Sequence, residues 1–186
     1  MKKGIDKLLD ILVRYVLLIV AGIIGVKIFY VLFKALTIYP VLALLNIFYN
    51  PTLLLDTIWV GDAPIEIIGP CIAGSAYYLL FILNLSIPKI EIKKRIGLLF
   101  FSFSSLLIIN ILRIFFLSIL FISGVSFFDI THKLFWYVGS TVFVVGIWFL
   151  SVKIFKIKEI PFYSDVMFLL NNSRKKVKKT KRSKKH

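Results

Sequence analysis

Three side chains in this chain are suited to acyl transfer: a thiol, a guanidinium and an imidazole. Cys71 is the sole cysteine, so no intramolecular disulfide can claim it. Arg113 is the one charged residue between positions 96 and 123. An arginine at bilayer depth costs roughly 2.5–3.5 kcal/mol, so its presence asks for a reason. His132 is the one histidine before the C-terminal residue. A histidine beside a cysteine takes the thiol proton and leaves the thiolate that attacks a peptide carbonyl. Once protonated, the same imidazole donates to the leaving amine. Arginine is too basic to act as the base. Its part is electrostatic, holding the thiolate or the oxyanion of a tetrahedral intermediate, or gripping the substrate backbone. An acyl-enzyme on Cys71 then goes to water, which is proteolysis, or to an amine or other nucleophile, which is transpeptidation; the residues leave both open.

Each of these residues also has a plainer role. A lone cysteine in an apolar segment serves as a small core residue, a lone histidine at a span end sits with its polar tip among headgroups, and Arg113 can hold a lipid phosphate or pair with Asp129. What weakens these roles jointly is that positions 71–87, 96–123 and 133–152 contain no carboxylate, so Arg113 has no obvious ion partner within the hydrocarbon.

The elements that must position the three follow from composition. With 59% hydrophobic residues, 18 Phe and a mean hydropathy of +0.92, the chain has lipid as its main solvent. The fold class expected is an all-α polytopic membrane protein: a helical bundle of about four transmembrane spans, over 11–33, 71–87, 96–120 and 133–153. Positions 35–49, short for a span and carrying Pro40, read as an interfacial or re-entrant helix. Tyr49-Asn50-Pro51 breaks that helix, and β-branched residues on both sides of Gly61-Asp62 predict a small extracytoplasmic β-hairpin over 57–68, just before the nucleophile. Thr131 is the expected N-cap of the last span, with His132 at its head. The whole forms a single transmembrane domain over 1–172, followed by a basic, disordered cytoplasmic tail over 173–186.

Orientation follows from the cations. The amino terminus, the 89–95 connection and everything after Lys153 are rich in Lys and Arg, whereas the hairpin and the 124–131 loop hold Asp62, Glu66 and Asp129 but no Lys or Arg. The positive-inside rule makes the first group cytoplasmic and the second external. The expected location is thus the cell membrane, multi-pass, with both termini cytoplasmic. If Lys93-Lys94-Arg95 marks the inner surface, ~20 helical residues at ~1.5 Å each reach the outer boundary near Phe115. Cys71, Arg113 and His132 then share one level, facing outside. Two further residues are expected in supporting roles. Asn110, three before Arg113 and on nearly the same face, can orient the guanidinium or a substrate carbonyl, or simply bridge two helices. Asp129, three before His132, can orient the imidazole or cap the helix.

With these residues in view, the chain resembles the exosortase/archaeosortase family of integral membrane cysteine transpeptidases. The resemblance covers residues 59–155 and rests on the hairpin, on Gly69-Pro70-Cys71-Ile72-Ala73-Gly74-Ser75, on Asn110-Ile111-Leu112-Arg113-Ile114 and on Thr131-His132. Cys71-Ile72-Ala73-Gly74 departs from the Cys-Ser-Gly-Leu of bacterial members and is closer to archaeal ones. By position the resemblance implies Cys71 as nucleophile, Arg113 as stabiliser and His132 as base and acid. It also implies substrates that are secreted proteins bearing a C-terminal motif, a hydrophobic helix and a basic cluster, and a lipid or envelope acceptor for the new end.

Other function classes make different demands. A small transporter or lipid-handling protein with Arg113 as an anion site needs no cysteine chemistry, and a scaffold recruiting a partner through its tail needs none of the three residues. The net charge of +15 does not argue for nucleic acid, because nine of the 24 basic residues lie in the tail between positions 174 and 185, where they read as an orientation signal. No metal-ligand spacing, phosphate-cradling loop or haem motif is present, and no cofactor is expected.

Overall fold

A computed structural model describes residues 25–87 and 90–157, together with helical positions at 9, 12, 13, 15–17, 19 and 20. The expected basic tail over 173–186 lies outside the described residues.

Gly25 has a φ of 70°, the left-handed value that glycine adopts without strain. Helix α1 follows, Lys27–Leu45. The sequence places a helix break after residue 33 and a separate short helix over 35–49; the structure instead puts the break at Gly25 and carries one 19-residue helix straight through Pro40. The physical reason is the buried stripe Phe29, Phe33, Thr37, Val41 and Leu45, at strict four-residue spacing, which packs one face of α1 against the bundle along its whole length. In an apolar setting a proline inside a helix is tolerated when neighbouring helices hold it.

The expected hairpin is a three-stranded antiparallel meander, β1 (Thr52–Leu54), β2 (Thr57–Val60) and β3 (Ala63–Glu66), in the order β1-β2-β3. Its second half, β2–β3, is the hairpin expected over 57–68, with Val60 opposite Ala63 across the Gly61-Asp62 turn. Strand β1 joins through a turn at Leu55 and Asp56, and the Lys34 ammonium holds the Asp56 carboxylate at 2.7 Å, tying that turn to α1. Ile58 on β2 is fully buried and anchors the sheet to the helices.

Residues 71–87, expected as one helix, are broken. A single helical turn, α2 (Gly69–Ile72), with Pro70 in its first turn, ends at Ala73, whose φ of 59° is left-handed, and α3 (Gly74–Leu85) restarts at once. Gly74 permits this break. A Cβ there would lie 2.8 Å from the Tyr30 ring of α1, at atoms near the root of that side chain as well as its far edge. Gly74→Ala should therefore lower stability by about 1–3 kcal/mol, read from thermal unfolding of the detergent-solubilised protein. An unchanged midpoint would mean that α1 does not press on the break.

Helix α4 runs unbroken over Ile92–Ile122, 31 residues, or ~46 Å at ~1.5 Å per residue, longer than a ~30 Å hydrocarbon core. The last helical stretch begins earlier than expected, as α5 (Phe128–Leu134), passes through a π-helical turn at Phe135–Gly139 and continues as α6 (Ser140–Ile154). Thr131 is not the N-cap: it lies a turn inside α5, where its hydroxyl donates to the Phe127 carbonyl at 3.0 Å. His132 is therefore embedded in α5 rather than at its head.

Among the described residues three helices are long and apolar enough to cross a membrane, Lys27–Leu45, Ile92–Ile122 and Phe128–Ile154. Helix α3, at 12 residues, falls short of that length. At the centre of the bundle Phe33 stacks on Tyr77 with centroids 3.6 Å apart, and Phe103 meets both edge-on. Towards one end Asn84 donates to Ser102, which shares a hydrogen bond with Ser151, so that α3, α4 and α6 are linked by polar contacts at one level.

Candidate active site

Cys71 is presented by the short turn α2. The chain arrives there from β3 in extended form, Ile68 having φ −78° and ψ 167°. Pro70 fits the first turn of a helix because its missing N–H would have no partner there. The Cys71 N–H donates to the Ile68 carbonyl at 2.9 Å. Its own carbonyl accepts from the Asn110 side chain at 2.7 Å. Asn110 is 2% exposed, so this bond is shielded from competition with water. Of the roles open to Asn110 the structure selects the helix-bridging one, with a particular target: α4 grips the main chain of the thiol-bearing residue itself.

Arg113 lies one turn further along the same face of α4. Its Nη1 donates to Ser140 Oγ at 3.3 Å, and Ser140 Oγ donates in turn to the Phe135 carbonyl at 3.3 Å. Nε of Arg113 is buried and has no hydrogen-bond partner. Among the described residues no carboxylate forms an ion pair with the guanidinium. Ser140 was not among the expected site residues. It stands where the π turn gives way to α6, and a π turn is a frequent device for aiming side chains at a site. Ser140 is one of several hydroxyls in the last span, with Thr141 and Ser151, and nothing in the sequence singled it out.

His132 reaches the site from α5. Its ring stacks on Phe128 at 5.6 Å and 11°, and Trp136 flanks it at 6.1 Å, both one turn away on the same helix face. Asp129 is exposed in the first turn of α5 and makes neither of the contacts expected of it: it forms no hydrogen bond with the imidazole and is not the capping residue, a place taken by Phe127.

Cys71, Arg113 and His132, from three separate elements, open into one cavity of about 180 Å³, walled by residues 64–68 on one side and by Leu117, Phe121 and Phe128 on the other. The same three line a narrower recess of about 20 Å³ beside Pro70 and Trp136. Glu66 brings a carboxylate to the lining of the same cavity without forming an ion pair with Arg113. No family model, curated protein or solved structure matches this chain. The functional argument therefore rests on the site itself.

Cys71, Arg113 and His132 share that space without touching: among the described residues no hydrogen bond joins the thiol to the imidazole or the guanidinium. Cys71 is partly accessible rather than sealed in the core, His132 faces the same space, and the guanidinium has donor capacity left over. Among the described residues no group of three His, Cys, Asp or Glu side chains is placed to hold a metal ion.

Proposed function

We propose that the protein is a membrane-embedded cysteine protease or transpeptidase. It cleaves a C-terminal sorting signal from secreted surface proteins through an acyl-enzyme on Cys71 and passes the new C-terminus to a lipid or envelope acceptor. The observation that carries this reading is that the one cysteine, the one described histidine and an arginine with no ion-pair partner among the described residues line a single cavity.

The steps follow from the groups present. His132 removes the Cys71 proton, and the thiolate attacks the scissile carbonyl, whose C–O electrons move onto oxygen. The Arg113 guanidinium stabilises that oxyanion in a water-poor site. As the intermediate collapses, the C–N bond breaks, and the imidazolium returns its proton to the departing amine, leaving a thioester on Cys71. The acceptor, an amine or another nucleophile, loses its proton to His132 as it attacks the thioester; the thiolate leaves and is reprotonated. With water as acceptor the same steps amount to hydrolysis.

The orientation we propose places both termini in the cytoplasm and the site at the outer surface, supported by the cations at residues 89–95 and after Lys153 and by the lack of Lys and Arg in the sheet residues 52–66 and the 124–131 segment. The test uses the single thiol. A membrane-impermeant maleimide is applied to intact cells or right-side-out vesicles, and the labelling rate is followed against pH for the wild type, His132→Ala and Arg113→Ala. The expected result is labelling from outside, with a pH midpoint that moves in both variants. Labelling only after the cytoplasmic side is opened would overturn the topology and the enzyme with it. An outward Cys71 whose profile ignores both substitutions would return the residue to packing.

A further inference from the structure

Strand β3 is an edge strand, and its open edge faces the cavity that holds Cys71. The register fixes which main-chain groups lie there. Val60 pairs with Ala63 across a two-residue turn, and Ile58 with Ile65. In an antiparallel ladder these are the hydrogen-bonded pairs, while the intervening Trp59–Pro64 and Thr57–Glu66 pairs point their main-chain groups away from one another. Ile67 continues the series by donating to the Asp56 carbonyl at 2.9 Å. The odd-numbered residues of this stretch are thus tied to the rest of the sheet, and the main-chain groups of Pro64, Glu66 and Ile68 point outwards. Pro64 sits where its missing N–H removes no ladder bond, as edge prolines do. Among the described residues the N–H groups of Glu66 and Ile68 have no hydrogen-bond partner.

All of residues 64–68 line the cavity, and the extended path runs through Ile68 to the turn that carries Cys71. The opposite wall is apolar, with Ile114, Leu117 and Phe121 of α4. An unpaired main-chain row facing an apolar wall suits an extended polypeptide, whose backbone bonds to the edge and whose alternate side chains enter the apolar side. Aqueous solvent would satisfy the edge equally well but would leave the apolar wall wet.

We propose that the substrate segment on the amino side of the scissile bond binds as a fourth strand on the open edge of β3. This rests on the reading of Cys71 as the nucleophile. β3 runs towards Cys71, so a segment presenting its carboxyl end to the thiol lies parallel to β3. Its amides donate to the Pro64 and Glu66 carbonyls, and its carbonyls accept from the Glu66 and Ile68 N–H groups. Recognition of this segment is by backbone and alternation of apolar side chains. The segment retained in the acyl-enzyme also stays held while the acceptor approaches.

The test measures how fast an acetylated Val-Ala-Val-Ala peptide vinyl sulfone alkylates Cys71 of the full chain in vesicles, against methyl vinyl sulfone, which carries the same reactive group without the peptide. Two further peptides carry N-methyl groups on both valines or on both alanines. In a strand, alternate amides face one edge, so one N-methylated isomer should react roughly tenfold more slowly and the other like the parent. Glu66→Pro removes an outward donor without touching the β2 ladder. Measured against Glu66→Gln, which loses the same carboxylate, it should slow the parent peptide by roughly tenfold while the two variants react alike with methyl vinyl sulfone. If the parent peptide outpaces methyl vinyl sulfone but both isomers react alike and Glu66→Pro matches Glu66→Gln, strand addition is overturned while the enzyme reading stands. If the peptide gains nothing over methyl vinyl sulfone, the enzyme reading falls and the strand proposal with it. The isomer comparison needs only the wild type, so it decides the matter even where Glu66→Pro fails to fold.

Discussion

Cys71→Ala should stop processing altogether. In cells carrying it as the only copy, secreted proteins that end in a motif, a hydrophobic helix and a basic cluster should keep their C-termini, which mass spectrometry of C-terminal peptides reads directly. Loss of the nucleophile from a nucleophile–base system costs roughly 10⁴-fold or more in turnover, because what remains is binding and charge stabilisation alone. The fold should survive. Cys71 is only partly buried, and the bonds that fix its position, to Ile68 and from Asn110, use main-chain atoms that alanine also has. An undiminished yield of processed protein would sink the enzyme reading. It is what a transporter with Arg113 as an anion site predicts, since the thiol has no part in such a protein. A scaffold acting through its tail makes a third forecast, that removal of residues 173–186 abolishes function while all three site residues tolerate replacement.

The meeting of Cys71, Arg113 and His132 was legible from the chain because it depends on coarse quantities: span length, the distribution of cations and the position of each residue relative to a span end. The local geometry was not. Positions 35–49 read as a separate helix because the first apolar run closes near residue 33 and the next is short and carries Pro40, yet the four-residue stripe from Phe29 to Leu45 was in the sequence and outweighs both once neighbouring helices are packed. Nothing local announces that Ala73 will adopt a left-handed conformation. Only the glycine after it hints that something lies close, and the object proves to be Tyr30, more than forty residues away. The face of Asn110 could be read from its spacing to Arg113, but its partner, the carbonyl of Cys71, is set by the docking of α2 on α4 and has no signature in either segment. The π turn belongs to the same class: it is a backbone adjustment, and what it positions, Ser140, becomes a site residue only after the helices are packed.

Arg113 should show activity and stability moving in opposite directions. Its guanidinium is held by a single side-chain bond at 3.3 Å, its Nε is buried without a partner, and among the described residues no carboxylate offsets the charge. A buried charge in that state weakens the fold, and replacing such groups by apolar residues of similar size is often neutral or stabilising. Arg113→Met keeps most of the volume and leaves Ser140 its bond to the Phe135 carbonyl. Thermal unfolding in detergent should therefore show stability unchanged or raised by about 1–3 kcal/mol, while processing falls by roughly 10²–10³-fold, the usual consequence of removing an oxyanion donor. Arg113→Lys separates charge from shape. Lysine supplies a point charge in place of a planar fork, so a site that only binds a phosphate-like anion should retain function with it, whereas one that must hold both Ser140 and a developing oxyanion should not. A Met variant that unfolds early would make Arg113 a structural residue bonded through Ser140. Persistence of the unpaired cation would then need an explanation from packing, since Glu66, the carboxylate that lines the same cavity, forms no ion pair with it.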